Sequence, residues 1–182
     1  MKKIIFFDGD GTLWYPKKTK YDEKPWWIYY DNKTKRNYHE HLIPIPGLKQ
    51  TLKKLKSMGI VLVIVSQSPY TKRIATQKLR KTVEHLGLAD YFDEICAAHS
   101  IKERNRADPK DRFILEVLKK RRMPKSSAMF VGDTYLYDYL AARRCGIDAI
   151  LIYSFKHTKG DKMYRRVRRK IENISEVLNY IN

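Results

Sequence analysis

Acidic residues are scarce in this chain. Its 182 residues carry 20 Asp plus Glu against 38 Lys plus Arg, a formal net charge of +18 at pH 7. That excess attracts anions, which admits phosphorylated metabolites and nucleic acid as partners, or only a solvated surface. The basic residues are spread along the whole chain, and this favours the solvated surface. Cysteine is scarce as well. Cys96 and Cys145 stand in no metal-type spacing, and both read as small buried apolar residues. No apolar segment is long enough to span a membrane. The N-terminal apolar run is too short for a secretory signal and lacks a small-residue cleavage site, so the expected location is cytoplasmic. Repeats and low-complexity linkers are missing too.

What is present suits one α/β domain over residues 1–182, since 43% of the residues are hydrophobic. Ile4, Ile5, Phe6 and Phe7 form an unbroken apolar run, as in a strand buried on both faces of a parallel sheet. It stops at Asp8-Gly9-Asp10-Gly11-Thr12. Two carboxylates two residues apart at the end of a buried strand are costly unless something offsets their charge, and a divalent cation does that. Gly11 must supply the turn that brings both to one pocket.

Residues 15–46 lack helical periodicity and hold Pro16, Pro25, Trp26, Trp27, Tyr29, Tyr30 and Tyr38. An interval this long inside a small domain is usually functional, here a small insertion built as a β-ribbon or ordered loop. Its aromatic residues either line an entrance or pin the loop to the core. His39 and His41 alternate as zinc ligands do, but no Cys lies near, and surface histidines are expected.

A helix is expected from Leu48 through Met58, ended by Gly59, and a second buried strand over Ile60–Val65. That strand ends at Ser66-Gln67. A basic amphipathic helix follows over Tyr70–Leu86, then a short strand over Asp93–Ala98. Asp108, as N-cap, and Pro109 open a helix whose apolar face is Phe113, Ile114, Val117 and Leu118. The fourth strand, Ala128–Val131, ends in Gly132-Asp133 with Asp138 beyond, a second acidic pair at a strand end. A helix over Asp138–Arg144, a strand over Ala149–Tyr153, a basic surface turn around Tyr164–Lys170 and a helix from about Ser175 complete the chain.

The sequence Asp8-x-Asp10-Gly11-Thr12-Leu13 after an apolar strand resembles the first motif of the haloacid dehalogenase-like superfamily. Ser66, Lys110 and the Asp133/Asp138 pair resemble its later motifs in order. The resemblance runs from Lys2 to about Tyr153 outside the insertion. It implies a three-layer, Rossmann-like, doubly wound and mainly parallel sheet, with a small cap insertion after the first strand.

It further implies a phosphomonoesterase acting through an aspartyl-phosphate on a small phosphorylated substrate, a sugar or aryl phosphate. Asp8 is then the nucleophile and Asp10 the general acid and base. Thr12, Ser66, Gln67 and Lys110 bind phosphate, with Lys102 the alternative to Lys110. Asp8, Asp10 through its backbone carbonyl, Asp133 and Asp138 hold Mg²⁺, with Asp138 otherwise holding Lys110. Trp14 and the short insertion are similar to the small magnesium-dependent phosphatases related to the phosphotyrosine phosphatase group, from which Gly9 departs. The alternatives are a phosphatase of nucleic-acid ends and a basic nucleic-acid-binding module on an idle scaffold. Nucleic acid is not favoured as partner, no membrane is involved, and a monomer or homodimer is expected.

Overall fold

The four apolar runs become the middle of one parallel sheet. The structure, a computed structural model, describes residues 1–68, 72–99, 109–153 and 162–182. The expectations at Tyr70, Lys102 and Asp108, and for the loop from 154 to 161, lie outside the described residues. The sheet consists of β1 (Ile4–Phe7), β4 (Val61–Ser68), β5 (Glu94–His99), β6 (Ala128–Gly132), β7 (Asp148–Ile152) and β8 (Lys170–Ile171). Their order is β5-β4-β1-β6-β7-β8, every pairing parallel. β1 therefore lies between β4 and β6, with Phe7 level with Ile64 on one side and Val131 on the other.

Side chains alternate across the sheet, as the pleat requires. Ile5, Phe7, Leu62, Ile64, Met129 and Val131 enter one core. Ile4, Phe6, Val63, Val65, Ala128 and Phe130 enter the other. The first face is covered by α1 (Leu48–Ser57), α2 (Lys72–His85) and the C-terminal segment, the second by α3 (Pro109–Lys120) and α4 (Leu140–Arg144). This is the three-layer, doubly wound arrangement expected from unbroken apolar strands. Phe6 and Phe7 are wholly buried, so truncating either to Ala should cost about 3–5 kcal/mol.

Residues 15–46 leave and rejoin the fold through an antiparallel ribbon, β2 (Trp14–Pro16) against β3 (Leu42–Pro44). Between the two strands run three short 3₁₀ helices, Lys20–Asp22, Pro25–Tyr29 and Tyr38–His41. Tyr15, Ile28 and Tyr38 are buried, whereas Trp26 and Tyr30 are 64% and 57% exposed. His39 departs from the expected surface position. It is buried edge-on between Tyr38 and His85, where the segment meets α2.

Other departures have local causes. β4 does not stop at Val65, because Ser66, Gln67 and Ser68 continue to pair with Ala97, Ala98 and His99 of β5. Met58 is 39% exposed rather than inward, since α1 ends at Ser57 and Met58 is its C-cap. The expected helix over Asp138–Arg144 begins only at Leu140, because Asp138 and Tyr139 belong to a π-helical turn, Tyr135–Tyr139. The basic run is not a plain surface turn. Tyr164, within a short helix α5 (Lys162–Arg165), and Val167 after it are buried, and Lys170–Ile171 forms the edge strand β8. The closing helix is a 3₁₀ helix, Ile174–Tyr180, burying Ile174 and Val177. Cys96 and Cys145 are buried free thiols. Among the described residues, no helix is long and apolar enough to cross a membrane.

Candidate active site

Adjacent parallel strands deliver their next residues to the same edge of the sheet. β1 ends at Phe7 and β6 at Gly132, so Asp8 and Asp133 emerge side by side. The Asp8 N–H donates to the Val131 carbonyl at 3.0 Å and extends the ladder by one step. Asp138 reaches the same place from the π-helical turn. Its carboxylate lies so close to Gly132 that a Cβ there would sit 2.3 Å from the Asp138 Cβ. Only glycine fits that position. Thr134 fixes the carboxylate from behind, its N–H and hydroxyl donating to Asp138 Oδ2 at 2.8 and 2.6 Å.

Asp8, Asp133 and Asp138 are all buried, and a ligand oxygen from each lies within 4.8 Å of the others. Two lysines enter this cluster. Lys110, from the first turn of α3, donates to Asp8 Oδ1 at 2.7 Å and to Asp138 Oδ1. It is itself 2% exposed. Lys24, from the residues between β2 and β3, places its Nζ 2.8 Å from Asp133 Oδ2. Three carboxylates thus face two ammonium groups.

The protonation balance follows from this crowding. Burial raises the Asp8 carboxyl to about 8, Lys110 pulling it down and Asp138 and Asp133 adding to the rise. Burial likewise lifts Asp133 to about 6 against the pull of Lys24. For Lys110, burial presses downward, but Asp138 and Asp8 outweigh it and hold the ammonium above its ordinary value. The same contest, won chiefly by Asp133, raises Lys24. Two cations are too few for three buried carboxylates, so protonation supplies the missing positive charge. A hard divalent cation fits this all-oxygen donor set and would take the place of the protons.

Asp10 stands apart from the cluster. Gly11, at φ +81°, turns the chain back, and the Asp10 carboxylate is held by two donors on one oxygen. Trp14 Nε1 lies 2.6 Å and the Tyr29 hydroxyl 2.7 Å from Asp10 Oδ1. Burial nevertheless raises its carboxyl, with Tyr29 and Trp14 opposing. The departure at Gly9 has its reason here. A Cβ on residue 9 would lie 2.5 Å from Trp14 Cζ2 and 3.2 Å from Ser66 Oγ. The indole that holds Asp10 occupies the space a bulky residue would need.

Beside Asp10 opens a cavity of about 220 Å³. Ser66 and Gln67 line it at the end of β4, Trp14, Trp26, Tyr29, Tyr30 and Tyr38 form one part of its wall, and Ala75, Lys78, Leu79 and Thr82 of α2 form another. Thr12 is fully buried and does not line it; its hydroxyl has no partner among the described residues. Lys24 and Thr134 were not singled out by sequence reasoning, and Tyr29 was named only among the aromatic residues of the insertion. Lys24 sits 109 positions from Asp133 in a stretch crowded with lysines, so no local spacing marks it. Trp14 was noted only for its subfamily likeness, although its spacing of four from Asp10 across the Gly11 turn was available.

Comparison with known proteins agrees with this architecture. The family model for haloacid dehalogenase-like hydrolases matches residues 12–152, a span that begins just after Asp10. A phosphoglycolate phosphatase of Pseudomonas savastanoi pv. phaseolicola is 29% identical over 120 residues, 65% of this chain and 40% of that protein. The haloacid dehalogenase-like hydrolase domain-containing protein 3 of Xenopus laevis is 26% identical over 126 residues, 69% of this chain and 46% of that protein. The chain thus spans less than half the length of these curated relatives. Among solved structures, an HAD phosphatase from Thermococcus onnurineus superposes with a TM-score of 0.71 at 20% identity, covering 100% of this chain and 98% of that one. A predicted phosphoglycolate phosphatase from Haemophilus somnus gives 0.72 at 16% identity, covering 100% and 98%. With the family model matching well over half of its residues, the chain belongs to the haloacid dehalogenase-like hydrolases.

Proposed function

We propose that this protein is a Mg²⁺-dependent phosphomonoesterase that works through an aspartyl-phosphate on a small phosphorylated substrate, a sugar or aryl phosphate. The observation that carries the reading is the buried set Asp8, Lys110, Asp133 and Asp138 with Asp10 standing beside it at the mouth of a cavity. Phosphate monoesters hydrolyse extremely slowly, and an anionic nucleophile is repelled by an anionic phosphoryl group. Asp8 would attack phosphorus, with Lys110 neutralising both the carboxylate and a phosphoryl oxygen. Asp138, anchored by Thr134, holds Lys110 in place.

Asp8, Asp133 and the carbonyl of Asp10 would hold the cation, with Asp138 at the edge of the set. Bound there, it supplies further charge neutralisation at the phosphoryl oxygens. Ser66 and Gln67 orient the phosphoryl group from the end of β4. Asp10, raised by burial, donates a proton to the leaving oxygen and later accepts one from the attacking water. Its side chain stays with Trp14 and Tyr29, away from the metal cluster. Residues 15–46 act as a small cap that brings Lys24 and Tyr29 to the site. The test is phosphate release from p-nitrophenyl phosphate by wild type and Asp8→Asn, with and without Mg²⁺. Metal-dependent turnover lost in the variant is the expected result. Turnover retained by Asp8→Asn would overturn the covalent mechanism.

A further inference from the structure

The cavity beside Asp10 has a chemistry that separates the two substrate kinds left open above, and the argument rests on the phosphatase reading. A leaving group must lie on the side of the acid that protonates it, and Asp10 lines this cavity. Five aromatic side chains, Trp14, Trp26, Tyr29, Tyr30 and Tyr38, meet there. The polar atoms of three are already committed within the protein. Trp14 Nε1 and the Tyr29 hydroxyl donate to Asp10, and the Tyr38 hydroxyl donates to the Lys78 carbonyl at 2.9 Å. The cavity's further polar side chains are Ser66, Gln67, Lys78 and Thr82. In the phosphatase reading the first two serve the phosphoryl group, and the Thr82 hydroxyl already donates to the Lys78 carbonyl at 3.1 Å. A sugar's several hydroxyls therefore find few partners, and each one left unpaired is costly to bury.

A flat ring makes no such demand. It offers π faces to the aromatic wall, which stack well in offset or edge-on geometry. Trp26 and Tyr30 are large aromatic side chains left mostly in water, on the 3₁₀ helix Pro25–Tyr29 and at its C-cap. Both line the cavity. Exposed aromatics converging on a cavity that holds the acid are placed as a stacking surface rather than as core. The volume, about 220 Å³, lies below the range for drug-sized ligands and suits a single ring. We infer that this cavity is the leaving-group site for a single-ring aryl phosphate, with Trp26 and Tyr30 stacking on the ring.

The experiment compares non-hydrolysable probes, so that the intrinsic reactivity of different leaving groups does not enter. Phenylphosphonate, methylphosphonate and 2,3-dihydroxypropylphosphonate are measured as competitive inhibitors of metal-dependent turnover, for wild type, Trp26→Ala and Tyr30→Ala. Phenylphosphonate is expected to bind about tenfold more tightly than methylphosphonate in wild type, and that ratio should fall severalfold in each variant. Both side chains are largely exposed, so neither variant threatens the fold. Equal inhibition by the two phosphonates, or a ratio unmoved in both variants, would overturn the inference. Tighter inhibition by 2,3-dihydroxypropylphosphonate than by phenylphosphonate would overturn it in favour of a polyol substrate. These failures leave metal-dependent turnover in place, whereas failure of the phosphatase reading removes the turnover itself.

Discussion

Metal affinity should depend steeply on pH, because a cation must displace protons from the cluster. The perturbation is a pH series from 6 to 8. Asp8 is held at about 8 and Asp133 at about 6, both above the ordinary carboxyl value of 3.8. A carboxyl whose folded pKa lies above its unfolded one contributes stability fully below the unfolded value, and loses it as pH rises through the folded value. The metal-free protein should therefore lose stability from about pH 4 towards about pH 8 through this site. Mg²⁺ binding acts in the opposite sense. Ligands must be deprotonated, so the apparent affinity rises with each proton no longer needing release. Near pH 6 Asp8 is almost wholly protonated and Asp133 about half, and near pH 8 Asp8 is about half ionised and Asp133 fully so. Multiplying the two protonation factors gives an affinity increase of about 100-fold between pH 6 and 8, or about 2.7 kcal/mol. Isothermal titration with Mg²⁺ in two buffers of different ionisation enthalpy measures both the affinity and the protons released. An affinity constant within threefold across that range, or one falling with pH, would refute the reasoning.

Three further outcomes are expected. Lys24→Met removes the ammonium 2.8 Å from Asp133, so Mg²⁺ should bind more tightly by calorimetry while the metal-free protein melts at a lower temperature; unchanged affinity would show that the lysine and the metal do not compete. Tyr29→Phe removes a donor that lowers the Asp10 pKa, so the alkaline limb of the kcat profile should move to higher pH, and a shift to lower pH would contradict the assignment of Asp10 as the acid. Gly9→Ala forces the Trp14 ring aside, and chemical denaturation should show a loss of about 1–3 kcal/mol together with reduced kcat; a stable, fully active variant would mean that the indole is not needed where it stands.

The strands were legible because each is buried on both faces and therefore written as a continuous apolar run. Ile4–Phe7 and Ala128–Val131 need no partner information to be recognised, and their acidic ends follow directly in the sequence. Asp8, Asp133, Asp138 and Lys110, singled out from those motifs, are brought together at the carboxyl ends of β1 and β6 and the start of α3. What escaped reading depends on distant partners. β8 is two residues long and lies in a basic run, where its pairing with Leu151 and Ile152 outweighs composition. The π-helical turn exists where Asp138 packs against Gly132, a contact no helical periodicity reports. Burial of His39 depends on His85, contributed by a different element. Lys24 and Tyr29 sit in a stretch without periodicity, and their roles appear only when the insertion is laid against the strand ends.

The way the site is divided between two parts of the chain also sets how it opens. Asp8 and Asp133 hang from β1 and β6, strands paired on both sides in the middle of the sheet, whereas Lys24 and Tyr29 stand at the N-cap and the last residue of one short 3₁₀ helix, outside the sheet's hydrogen-bond ladder. Segments with few paired backbone groups open at a lower free energy than central strands. Amide hydrogens of Phe6, Phe7 and Phe130 should therefore exchange only with global unfolding, and those around Tyr29 well before. With that order of exchange, the Asp8 and Asp133 carboxylates would keep their arrangement while the aromatic wall opens. In the proposed phosphatase, admission of a substrate and preservation of the carboxylate cluster would then be separate thermodynamic events.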